Sequence, residues 1–166
     1  MFYAGIGSRE TPLTTCQEMS NIAMQLAIRG LILRSGRAKR PVKPTPNTDS
    51  ADLAFEKGCD IVSGAKVIRT STIWQPAVDH AAKFHPNWGA CNEYAQSLHA
   101  RNSLIMVGDS FVEPVSFVVC WMPGGAIKGG TGQALRIADS LQIPVWNLAI
   151  CSVDQFWSWF NESFNV

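Results

Sequence analysis

The chain has little net charge. Fourteen Lys and Arg face thirteen Asp and Glu, a balance of +1. No global basic field follows from that, and broad contact with a phosphate backbone draws on many cations. The balance argues against nucleic acid as a partner. The sequence also lacks any apolar run of transmembrane length, so a membrane is not an expected partner. It lacks a C-x-x-C pair. The five cysteines (Cys16, Cys59, Cys91, Cys120, Cys151) are odd in number and scattered. That usage fits reduced thiols in a cytoplasmic protein better than a disulfide framework. No zinc spacing links these cysteines to His80, His85 and His99, and those histidines lack a partner pattern, so surface or structural roles are expected. No metal and no cofactor is expected. The chain opens directly on a strand pattern, so a secretory leader is not expected. There is no internal repeat and no low-complexity tail.

What is present is a packed α/β pattern. With 166 residues and 46% hydrophobic content, residues 1–166 read as one domain with a sizeable core. Residues 2–7 form a first strand running into a glycine turn. Thr11 caps a helix with Pro12 at its first position; its apolar residues recur from Leu13 to Ala27, and Gly30 ends it. Residues 31–36 are a second strand. Residues 51–58 are a short helix with Gly58 as its stop, and residues 65–70 a weaker third strand. Residues 72–89, with Trp74, Pro76, Pro86 and Trp88, read as irregular. Residues 91–107 follow as a helix with Ala95, Leu98, Asn102 and Ile105 on one face. Residues 115–121 are a continuously apolar fourth strand with Cys120 in the core, and residues 143–148 a fifth. Ser152 caps a last helix whose inner stripe is Val153, Phe156, Trp157, Phe160 and Phe164. A basic, proline-rich insertion occupies residues 37–50 and holds Arg37, Lys39, Arg40 and Lys43.

Strands alternating with helices define an α/β class. The expected fold is a Rossmann-like domain with a mainly parallel, five-stranded or slightly larger sheet and helices on both faces. Its ligand crevice lies beyond the C-terminal strand ends, where strand order reverses. The loop from Trp121 to Thr131, rich in glycine, falls there. In that position the amides of Gly129, Gly130 and Thr131, with the Thr131 hydroxyl, cradle an anion. The alternative is a surface loop with Thr131 as an ordinary N-cap. The loop is neither a Walker A sequence nor a dinucleotide fingerprint. Gly7, Ser8 and Arg9 follow the first strand, Ser35, Gly36 and Arg37 follow the second, and Asn147 ends the fifth. Arg101 and Asn102 come from the long helix. Trp121, at the end of the fourth strand, is the best placed of the tryptophans to stack on a base.

The joint pattern Tyr3-Ala4-Gly5-Ile6-Gly7-Ser8-Arg9, Leu33-Arg34-Ser35-Gly36, Ala51-Asp52-Leu53-Ala54-Phe55-Glu56-Lys57-Gly58, Ala100-Arg101-Asn102 and Gly129-Gly130-Thr131-Gly132-Gln133-Ala134 resembles the SLOG superfamily. That group unites DprA/Smf DNA-processing proteins, LOG phosphoribohydrolases and related Rossmann-like nucleotide binders; the small phage and bacterial DprA-like proteins are the nearest in pattern. Two departures matter. LOG enzymes carry Pro-Gly-Gly-x-Gly-Thr-x-x-Glu, and here Ala134 stands where the active-site glutamate would be. Relatives show a compact Ser-Gly-Gly-Ala-x-Gly-Ala-Asp, whereas Arg37 replaces the second glycine here and the insertion separates Ala38 from Ala51-Asp52.

The resemblance implies a binding protein rather than an enzyme. The expected ligand is a nucleotide-derived small molecule, of ADP-ribose or cyclic nucleotide type. A phage relative that has lost its carboxylate would sequester such an immune signal without turnover, in the host cytoplasm, as an inhibitor of anti-phage defence. Two alternatives stand beside it. One is a LOG-like nucleoside monophosphate phosphoribohydrolase, with Asp52, Glu56 or Asp109 replacing the glutamate. The other is a DprA-like single-stranded DNA-binding protein supported by Lys39, Arg40 and Lys43. A homo-oligomer is expected, since relatives assemble and Trp157 and Trp159 exceed one inner stripe.

Overall fold

A computed structural model describes residues 1–8, 10–37, 50–70, 73–125 and 129–164. Arg9 and most of the insertion, including Lys39, Arg40 and Lys43, lie outside the described residues. In chain order the elements are β1 (Phe2–Gly7), α1 (Leu13–Ile28), β2 (Ile32–Ser35), α2 (Ala51–Asp60), β3 (Val67–Arg69), α3 (Gln75–Ala82), α4 (Glu93–Val107), β4 (Phe117–Trp121), α5 (Gly129–Ser140), β5 (Val145–Asn147) and α6 (Val153–Phe164). Two short 3-10 turns cover Trp88–Ala90 and Pro123–Gly125.

The five strands pair in the order β3-β2-β1-β4-β5, every pair parallel. Each face of the sheet is covered because side chains alternate along a strand. From β1 and β4, Tyr3, Phe117 and Val119 enter a core with α1, α2 and α6. Ala4, Ile6, Val118 and Cys120 enter the opposite core with α4 and α5. α3 packs outside α4, Ala77 against Ala100 and Leu104. This is the Rossmann-like α/β architecture expected from the strand and helix alternation. No helix among the described residues is long and apolar enough to cross a membrane.

Several local expectations are corrected. Pro12, not Thr11, is the N-cap of α1, and no side chain caps it. The Thr11 hydroxyl instead donates to the Ser8 carbonyl at 2.6 Å, tying the β1 turn to the helix start. Gly58 does not stop α2, which runs to Asp60. A Cβ at Gly58 would lie 2.0 Å from the Ser20 carbonyl oxygen, so this glycine lets α2 press onto α1. Residues 72–89 are not irregular throughout. Gln75–Ala82 forms α3, with proline in its first turn, where a missing N–H costs nothing. Ser152 caps α6 as expected: its Oγ accepts from the Gln155 amide at 3.1 Å, and Gln155 Oε1 accepts from the Ser152 amide at 2.9 Å. The α6 tryptophans both make contacts within the chain. Trp157 lies under the Arg29 guanidinium, 5.0 Å from its ring centre, and Trp159 packs edge-on to Phe117.

Candidate functional site

Chain order from β1 runs to β2 and β3 on one side and to β4 and β5 on the other. The switch point therefore lies between β1 and β4, and their C-terminal ends part there to leave a crevice. A cavity of about 470 Å3 occupies it. Its wall includes Gly7 and Ser8 after β1, Arg101 and Asn102 from α4, and Gly129, Gly130 and Thr131 at the start of α5. A second depression of about 290 Å3 shares Leu98 and Arg101 with it and is bounded by Gly36 and Arg37.

The start of α5 forms part of the crevice wall. The helix starts at Gly129, two residues before the expected Thr131 boundary, so Thr131 is a first-turn residue and not the N-cap. Gly129 has φ +62°, a left-handed conformation that favours glycine. The first amides of a helix have no carbonyl four residues back within the helix to bond. Outside the helix, no carbonyl among the described residues accepts from Gly129, Gly130 or Thr131. The loop is held from two sides. Asn102 Nδ2 donates to the Gly130 carbonyl at 2.7 Å. Asn147 clamps Met122: its Oδ1 accepts from the Met122 amide at 2.8 Å and its Nδ2 donates to the Met122 carbonyl at 2.9 Å.

Arg101 brings a cation to the crevice wall. Its Nε is buried without a hydrogen-bond partner among the described residues. Buried polar atoms are rarely left that way, because an unmade bond costs the desolvation of the group. Gly36 lets Arg101 lie down, since a Cβ there would be 2.8 Å from that Nε. Ser8 is partly committed: its amide donates to the Trp121 carbonyl at 3.1 Å, and its Oγ accepts from the Glu10 amide at 3.2 Å.

The remaining candidates sit elsewhere. Ser35 is fully buried and donates to Glu56 Oε1 at 2.6 Å. Trp121 packs into the α1, α2 and α6 core, as alternation from Val119 requires, and does not line the crevice. Arg37 has φ +50° and pairs with Glu56 at 3.3 Å. Arg9 cannot be placed, lying outside the described residues.

Sequence reasoning missed the central role of Glu56. This carboxylate is 3% exposed, and Arg69 Nε also reaches it at 2.7 Å. The bond to Glu56 raises the Arg69 pKa, with burial opposing. Glu56 thus binds the ends of β2 and β3 to α2. Of the three carboxylates weighed as replacements for a catalytic glutamate, Asp52 lines the crevice, Glu56 is committed to this network and Asp109 is exposed. Ala134 is fully buried in the core under α5. Charges of both signs therefore meet at the crevice, whose lining includes Glu10 and Asp52 as well as Arg101.

The chain matches no family model. No curated protein matches it either. Among solved structures it is similar to DNA processing protein A from Helicobacter pylori, described for its single-stranded DNA binding mode. The TM-score is 0.53 at 18% identity, over 87% of this chain and 63% of that one. The likeness is one of fold: a Rossmann-like, DprA-like arrangement. The chain spans less than two thirds of that protein's length. One expectation is corrected by it. Near-neutral charge argued against nucleic acid as a partner, yet a protein of this fold binds single-stranded DNA. Net charge is a weak guide when a site concentrates a few donors in one crevice.

Proposed function

We propose that this protein binds single-stranded DNA across the C-terminal edge of its sheet. A backbone phosphate sits at the α5 N-terminus and contacts Arg101. The observation that carries the reading is the Arg101 Nε, buried without a hydrogen-bond partner among the described residues, in the same crevice lining as Gly129, Gly130 and Thr131, whose amides meet no described carbonyl outside the helix. Helix N-termini favour phosphate through their amides and dipole, and a guanidinium adds a charge-assisted bond. The adjoining depression at Gly36 and Arg37 gives the strand a second place to lie, with Arg101 between the two. The SLOG-like sequence pattern and the fold shared with a single-stranded DNA-binding protein support the same reading.

A free nucleotide-derived molecule is the second reading, favoured by the volume of the crevice, about 470 Å3, which lies in the range of small-ligand sites. Fluorescence anisotropy with a labelled oligothymidylate separates the two, using unlabelled mononucleotides as competitors. The oligonucleotide is expected to bind, increasingly weakly as salt rises. Arg101→Ala should weaken it by about 10- to 100-fold, the worth of a charged hydrogen bond. Mononucleotide binding alone would favour the second reading. Oligonucleotide binding indifferent to Arg101→Ala would remove this crevice from the account.

A further inference from the structure

Away from the crevice, a loop and a helix bring together three side chains that no spacing rule connects. His85 and Cys91 lie in the α3–α4 connection and His99 two turns into α4. One donor atom from each lies within 4.8 Å of both others. Cys91 Sγ is 3.7 Å from both His85 ring nitrogens. The His85 and His99 ring centres are 4.5 Å apart. His99 is 7% exposed, and its Nδ1 has no hydrogen-bond partner among the described residues.

We propose that His85, Cys91 and His99 bind one zinc-class divalent ion. Zinc bonds of about 2.0–2.1 Å to nitrogen and 2.3 Å to sulfur place tetrahedral donors roughly 3.5 Å from one another. The observed cluster needs only a small contraction to reach that. The donor types are those of zinc: two imidazoles and one thiolate, without the all-oxygen set that magnesium or calcium takes. Three protein ligands leave a fourth position for water or for a group on a ligand. Trp88 stands 5.9 Å from the His85 ring and 6.1 Å from the His99 ring, covering the cluster on one side. Arg136 lies within electrostatic reach of His99, so its positive charge would oppose a divalent ion held by neutral donors alone. The Cys91 thiolate supplies the compensating negative charge. On binding, the thiol proton leaves to solvent as the S–metal bond forms. The ion would staple the α3–α4 connection to the helix that carries Arg101.

The test uses the full chain, stripped of metal with a chelator and titrated with Co2+ alone. One Co2+ per chain is expected, with tetrahedral visible bands and a thiolate-to-cobalt charge-transfer band. Cys91→Ser should abolish the charge-transfer band and weaken binding at least tenfold, while His80→Ala leaves both unchanged. Clearly less than one ion per chain, or a spectrum indifferent to Cys91→Ser, overturns the proposal. A measurement on the unsubstituted chain guards against misfolded variants. Zn2+ should protect Cys91 from iodoacetamide and leave Cys151, which is also half-buried, reactive. Protection of both thiols alike, or of neither, overturns it as well.

Discussion

Glu56 shows how much one buried carboxylate can organise. It accepts from Ser35 and Arg69 and pairs with Arg37, so its loss strands a hydroxyl and two cations at the ends of β2 and β3. Arg69 and Arg37 reach water, which softens the penalty. Glu56→Ala should therefore cost about 2 kcal/mol, below the value for a fully buried pair; urea denaturation checks this. His80 gives a pH prediction at the same scale. Burial, aided by Lys83, lowers its pKa below the usual 6.5. Above that value the imidazole is neutral whether the chain is folded or not. As pH falls through 6.5 the unfolded chain takes the proton first, so stability falls with acidification. His80→Leu should flatten the melting temperature between pH 7 and roughly pH 5. An unchanged slope would assign the effect to other groups. Burial also holds the Cys120 thiol up at about 12, so it should resist alkylation in the native protein.

Helices and strands depend on such packing in ways that composition conceals. The α1–α2 interface rests on Gly58, where any side chain meets the backbone of Ser20. Gly58→Ala should cost about 3 kcal/mol, the upper range for overpacking a tight interface. Gly30, at φ +77° with open space around it, should cost less on the same change, about 1 kcal/mol for the strained conformation. Equilibrium unfolding of the two variants tests the ranking. Gly58 also explains a boundary that the sequence could not place. A glycine in a helical pattern reads as a stop unless the neighbouring helix is known. Apolar runs made all five strands legible, because burial on both faces leaves a strong signal in β1 and β4. α3 was not legible, since its buried face is only Ala77 and Ala81, between prolines and tryptophans that read as loop. At α5, the first turn is three glycines and a threonine, so neither propensity nor periodicity marks where it starts. Its position against the crevice predicts that Thr131→Val, which exchanges the hydroxyl for a methyl of similar size, weakens oligonucleotide binding about fivefold, the worth of one hydrogen bond.

Over the whole molecule, the position of the crevice follows from topology more than from any one motif. A parallel sheet with its strand order reversing between β1 and β4 can open in one place, and Gly7, Ser8, Gly129, Gly130 and Thr131 meet there. Trp121 and Ser35 belonged to the same loops in sequence but turn into the core, because strand alternation fixes the face of each before the loop begins. The His85, Cys91 and His99 cluster was invisible for a related reason: its members come from a connection and a helix and meet only in the folded chain. Charge follows the same rule, since location outweighs sum. The +1 balance conceals Arg37 and Arg101 at one edge, with Lys39, Arg40 and Lys43 next in sequence to Arg37. If those cations extend the DNA track, reversing Lys39, Arg40 and Lys43 to glutamate should weaken oligonucleotide binding by tenfold or more at low salt. The same triple change should shrink the salt slope by roughly 0.7 for each phosphate no longer neutralised. Mononucleotide binding in the crevice should persist, because Arg101 and the α5 amides remain. Anisotropy titrations at three salt concentrations read both quantities. A slope that does not move would confine the DNA to the crevice and leave the insertion outside the binding track.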